Sequence, residues 1–169
     1  MACPDPAGTV TTVTGGQSNA ANNISGEATP AERLGRVYTF FDGQCFQAEA
    51  PVLGASKGLG LNSLWTAFGA RLTDTLDRDV LFIHGAVGGT QAADWMNDRS
   101  VYYAALRDRV ADATAAGFTP RVIIWHQGET DAKIARSEAQ IIADYTRLTD
   151  TPGFAVDRHT RAVWSMPRC

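Results

Sequence analysis

The amino-acid sequence predicts an α/β fold, with helices flanking a parallel sheet. Three observations predict it. Strand and helix signals alternate along the chain, the pattern that builds strand–crossover–strand units. Two runs, DVLFIHGA (79–86) and RVIIWHQG (121–128), are almost unbroken in apolar residues, as strands covered on both faces are. Three of the strands end in small polar, glycine-bearing clusters: GGQSN, GAVGGT and HQGETD.

Each element has its own local signal. TVTTVT (9–14) is β-branched and runs into Gly15-Gly16, a strand feeding a loop. Residues 19–62 are rich in Gly, Asn, Ser, Pro and Ala, with one short strand expected at RVYTFF (36–41). So long a stretch with little regular structure is usually functional or packs over a site. SLWTAFGARLTDTL (63–76) repeats apolar residues at helical spacing behind Ser63, a suitable N-cap. Residues 79–86 form the next strand. Residues 100–117 form a helix with Ser100 at its start and Gly117 as C-cap. Residues 121–128 are again a fully buried strand, and SEAQIIADYTRLTD (137–150) is a further helix. FAV or RAVWS in the tail supplies a last short strand.

The chain has 169 residues, which suits one domain (1–169) and can bury roughly two thirds of its unfolded surface. A net charge of −3 without any Lys- or Arg-rich block excludes an evident nucleic-acid or anionic-membrane surface. The longest apolar runs are far shorter than the roughly 20 residues a membrane helix needs. The start, MACPDPAG, has neither the basic nor the apolar region of a leader, although a chain already cleaved of one would look the same. The three cysteines, Cys3, Cys45 and Cys169, are too few and too widely spaced for a metal pattern or a dense disulfide framework. Chain ends often lie close together, so a terminal Cys3–Cys169 disulfide is one pairing to test.

In a parallel sheet, ligands gather at the carboxyl ends of the strands. Three glycine-bearing clusters at that edge therefore suggest a site, because glycine lets backbone amides approach a ligand. An ester-cleaving site needs a nucleophile, a base and donors aimed at the developing oxyanion. Ser18 has a nucleophile's setting, in a tight turn after a buried strand. Its own amide, the amides of Gly88 and Gly89, and the side-chain amide of Gln127 could serve as donors. The pattern is neither the Gly-x-Ser-x-Gly elbow, since Ala20 stands at the last glycine position, nor a phosphate-binding loop. Glu129 and Asp131 read as an acid/base pair, as metal ligands or, preferably, as solvated or capping carboxylates before the next helix. His84 reads as a satisfied core residue and His126 as a supporting one. Trp65, Trp95 and Trp125 read as packing residues.

GGQSNA, GAVGGTQAADW and WHQGETDA, in this order, resemble the blocks of the SGNH (GDSL-like) hydrolases. The resemblance is strongest to the branch holding the sialate O-acetylesterases and carbohydrate esterase family six. It covers about residues 9–148, and the tail 149–169 is atypical. The resemblance implies a three-layer α/β/α sandwich with a parallel, flavodoxin-like central sheet. It implies removal of acetyl groups from carbohydrate or other small esters, with no metal or organic cofactor called for; the charge balance and short apolar runs already point to no nucleic-acid or membrane partner. Ser18 falls on the family's nucleophile. The Ser18 amide, Gly88 or Gly89, and Gln127 fall on its oxyanion donors, with Gln17 supporting the site.

The family completes its triad with Asp-x-x-His near the C-terminus. Here the tail holds Asp157 and His159 at Asp-x-His spacing, one residue short of that pattern. They are the candidates for the acid and the base. Three readings follow: a serine acetylesterase, a hydrolase-fold module that binds an acetylated glycan without turnover, and a C-terminally incomplete piece of such an enzyme. An edge left uncovered in the last case would favour association.

Overall fold

A computed structural model of the chain describes residues 2–21, 27–55, 63–96, 99–150 and 162–165. Six strands form one sheet: β1 (Thr9–Gly16), β2 (Val37–Phe41), β3 (Gln44–Gln47), β4 (Asp79–Ala86), β5 (Val122–His126) and β6 (Ala162–Ser165). Their order is β3-β2-β4-β1-β5-β6, and every neighbouring pair is parallel except the β2–β3 hairpin. The helices are α1 (Ser18–Ala21), α2 (Leu64–Leu76), α3 (Val101–Ala115), α4 (Glu129–Lys133) and α5 (Glu138–Asp150).

Side chains alternate between the two faces of the sheet, and each face has its own core. Val13, Leu81, Ile83, Ile123 and Trp125 share one core with residues of α3, α5 and the short 3-10 turn Ala92–Trp95. Val37, Val80, Phe82 and Ala86 share the other with α1 and with Trp65 and Ala70 of α2. The result is the expected three-layer α/β/α sandwich.

Local chemistry sets the boundaries. The Ser63 hydroxyl accepts the Trp65 N–H at 3.2 Å and starts α2, a cap worth about 1 kcal/mol. Ser100 does the same for Tyr102 at 3.3 Å in α3. That helix ends at Ala115 with Ala116 as its cap, and Gly117 takes the left-handed position one residue later, with φ 93°. The hairpin was not anticipated. Phe41 pairs with Gln44, leaving Asp42-Gly43 as a two-residue loop with φ of 48° and 74°. Asp-Gly is a preferred sequence for such a turn, because both positions need positive φ.

Three expectations need correction. The parallel strands, counted along the chain, lie in the order 2-3-1-4-5 rather than the flavodoxin-like 2-1-3-4-5. The connection leaving β1 is long enough to pass the position of β4 and reach β2, and no local pattern encodes that choice. β5 is buried on alternate positions only: Ile123 and Trp125 are covered, whereas Val122, Ile124 and His126 are half-buried. On the second face α2 packs over β2 and β4 and leaves β5 less covered. Finally, Cys3 is bonded to Cys45 of β3, with a Cα–Cα distance of 5.1 Å, and not to Cys169. The segment before β1 packs at Pro6 against Gly117, next to Phe118, whose ring meets Phe40 of β2. Its path therefore leads past the hairpin.

Candidate active site

β1, β4 and β5 end level. Gly16 is in register with Ala86 on one side and with His126 on the other. The connection from β1 leads toward β2 and that from β5 toward β6, on opposite sides, so the strand order reverses between β1 and β5. A crevice at such a point is where ligands bind in open α/β sheets. Gln17-Ser18, Val87-Gly88-Gly89 and Gln127-Gly128-Glu129 all emerge there.

Ser18 is half-buried at the first position of α1. The turn that presents it depends on Gly16, whose φ is 130° and where any Cβ would overlap the His126 carbonyl oxygen. Gln17 continues the same contact, its N–H donating to the His126 carbonyl at 3.1 Å. The Gln17 side chain is buried and tied at both ends. Its Oε1 accepts the Thr130 N–H at 2.9 Å, and its Nε2 donates to the Ser18 Oγ at 3.4 Å. Because the amide donates, the hydroxyl proton of Ser18 is left to be given elsewhere.

Gly88 and Gly89 lie exposed on the loop after β4. A Cβ placed on Gly88 would sit 3.8 Å from the Ser18 Cβ, so this glycine borders the serine directly. Gly89 has φ 81° and open space where a side chain would project. Gln127 is 1% exposed, and its Nε2 donates to the Thr90 carbonyl at 2.5 Å. One of its two amide hydrogens is thus spent on the loop that carries the glycines. The structure therefore brings together Gln17, Ser18, Gly88, Gly89 and Gln127. Asp157 and His159 lie outside the described residues.

The carboxylates after Gln127 do more than cap a loop. Asn19 Nδ2 donates to Glu129 Oε1, and His126 Nε2 lies 3.7 Å from the same oxygen. Asp131 is completely buried rather than solvated, and both its oxygens accept the Ala92 N–H, at 3.2 and 3.1 Å. Arg136 bridges Asp131 at 3.0 Å and Asp144 of α5 at 2.6 Å. Burial opposes the guanidinium charge, but Asp144 and Asp131 outweigh it and raise its pKa. Burial, and then the charges of Asp131, Glu129 and Asp144, push the Tyr145 hydroxyl well above its usual range. The sequence shows only that Glu129 and Asp131 follow Gln127-Gly128 at the sheet edge; the burial of Asp131 comes from the packing around it.

His84 is buried one layer below the site. Its Nδ1 meets the Thr14 hydroxyl at 2.5 Å, but its Nε2 has no partner among the described residues, so it is only half satisfied. Burial, helped by Arg109, pushes its pKa down to about 3. Trp65, Trp95 and Trp125 are buried packing residues as expected, Trp95 and Trp125 meeting edge to face at 5.1 Å. Among the described residues no group of three or more His, Cys, Asp or Glu side chains could hold a metal ion. No helix among them is long and apolar enough to cross a membrane.

Comparison with known proteins bears on the fold and the family. No curated protein matches the chain significantly. A solved protein of Arabidopsis thaliana is similar in fold, with a TM-score of 0.67 and 18% identity, over 84% of this chain and 68% of that one. A carbohydrate acetylesterase from Xanthomonas citri aligns at 15% identity over 83% of this chain and 39% of its own, with a TM-score of only 0.35, too low to argue a shared fold. The profile of one family matches residues 12–150, which hold all three glycine-bearing clusters. The chain belongs to the family described as carbohydrate esterase, sialic acid-specific acetylesterase.

Proposed function

We propose that the protein is a serine esterase that removes acetyl or other short acyl groups from a carbohydrate or small ester. Membership of an acetylesterase family supports the reaction class. The observation that carries the residue roles is the setting of Ser18, with Gly88 beside its Cβ and the Gln17 amide donating to its Oγ. In this reading the Ser18 Oγ attacks the ester carbonyl carbon and its proton passes to a base. The amides of Ser18, Gly88 and Gly89 stabilise the oxyanion, together with the second Nε2 hydrogen of Gln127. The sugar hydroxyl departs with the proton, and water then releases acetate from Ser18. The tail residues His159 and Asp157 are the proposed base and its orienting acid.

Hydrolysis of p-nitrophenyl acetate tests this assignment. Ser18→Ala should lower kcat by about a thousandfold or more, with an unchanged melting temperature. His159→Ala should lower it comparably, and His126→Gln, made in parallel, should not. Equal rates for the wild type and Ser18→Ala would remove the nucleophile. If the wild type binds an acetylated sugar but turns over no ester, the non-catalytic binding module is the correct reading.

A further inference from the structure

The loop that carries Gly88 and Gly89 does not hold its own shape by contacts to β4 alone. Its start is tied to β1, because the Val87 N–H donates to the Gly16 carbonyl at 3.1 Å. Its far side is held from β5 and α4 by two bonds, Gln127 to the Thr90 carbonyl and Asp131 to the Ala92 N–H. The Thr90 hydroxyl closes the loop internally, donating to the Val87 carbonyl at 2.9 Å and accepting the Trp95 indole N–H at 3.0 Å. Asp131 is the charged member of this set. It is fully buried, and a buried carboxylate with one backbone donor would be costly without a cation. Arg136 supplies that cation and is itself steadied by Asp144 on α5.

We propose that Asp131 is a positioning residue for the esterase reaction: its carboxylate, held by Arg136, fixes the Ala92 amide and with it the Gly88–Gly89 amides against Ser18. The proposal rests on the function proposed above. It places no group of Asp131 on the substrate. Its effect falls on the transition state, because the oxyanion contacts the glycine amides only as the tetrahedral species forms. Displacing such donors by about an ångström can lower the rate by up to a hundredfold while leaving ground-state binding alone.

The test compares three variants of the whole chain. Asp131→Asn keeps the side-chain shape but turns one acceptor into a donor facing Ala92 or Arg136. Ala92→Pro deletes the same bond from the other partner. Ala92 opens the 3-10 turn and Gln91 before it is extended, with φ −96° and ψ 163°, so the preceding backbone accepts proline, while the ring on the buried Ala92 nitrogen also pushes the Asp131 carboxylate away. Asp144→Asn weakens Arg136 but leaves the Ala92 contact in place. The expected result is a kcat lowered tenfold to a hundredfold in Asp131→Asn and Ala92→Pro, with KM within about threefold, and near-normal values in Asp144→Asn. Amide hydrogen exchange of residues 87–92 should speed up in the first two variants only. It is also read in a Ser18→Ala background, where activity plays no part. Wild-type kcat in Asp131→Asn, or unchanged exchange of the loop, overturns the proposal. So does a loss of activity that merely follows melting temperature across all three variants. If Ser18→Ala proves as active as the wild type, the proposed function falls, and the exchange measurement still decides whether Asp131 anchors the loop.

Discussion

The Cys3–Cys45 bond makes a quantitative statement about stability. It spans 42 positions and ties the segment before β1 to the edge hairpin. In the chain-entropy description, a link of that length removes about 13 cal/mol/K from the unfolded chain, or about 4 kcal/mol at 25 °C. For a chain of this size one kcal/mol moves the melting temperature by about 2–4 °C, so losing the bond should lower it by about 8–16 °C. Cys3 is exposed, so Cys3→Ser introduces no buried polar group of its own at that position. Scanning calorimetry of the oxidised wild type, the same protein under reductant, and Cys3→Ser checks the magnitude. Reductant should leave the variant's transition in place and lower that of the wild type to meet it. Peptide mapping without reduction should find the Cys3 and Cys45 peptides joined and the Cys169 thiol free. A variant melting within about 2 °C of the oxidised wild type, or a Cys3–Cys169 peptide pair, refutes the reasoning.

Two further expectations concern the strands beneath the site. Gly16→Ala forces a Cβ into the His126 carbonyl at a φ of 130°, so it should cost roughly 3 kcal/mol or more and abolish activity with the Ser18 turn. Denaturant unfolding reads this, and a cost below about 1 kcal/mol contradicts it. His84 titrates near 3 in the folded chain, against about 6.5 when unfolded, so the unfolded state binds more protons between those values. Its contribution is intact above about pH 6.5 and is lost as pH falls toward 3, with a slope approaching 1.4 kcal/mol per pH unit. His84→Gln should flatten that limb of the stability–pH curve, and an unchanged slope would show that His84 is not buried neutral.

Much of the fold was legible because its signals are local. The apolar run 79–86 coincides with β4, and the helix expected at 63–76 behind Ser63 is α2 at Leu64–Leu76. The last strand lies within RAVWS, one of the two segments expected for it. The hairpin was missed, although Asp42-Gly43 is a strong turn signal, because β3 is short and three of its four residues, Gln44, Phe46 and Gln47, are exposed or half-buried. At the site, Ser18 and the glycines were readable from residue type and from their place after strands. The role of Asp131 was not, since a carboxylate in a polar loop reads as solvated until its burial is known.

Sequence alone carried the layering, the strands whose ends meet at one edge, and the serine and glycines that line it. Periodicity and turn chemistry act over a few residues, so they survive in a one-dimensional reading. The lateral order of the strands, the partner of Cys3 and the bond from Asp131 to Ala92 join residues far apart in the chain. Those contacts depend on which connections cross the sheet and what they pass on the way, and only the packed structure specifies that.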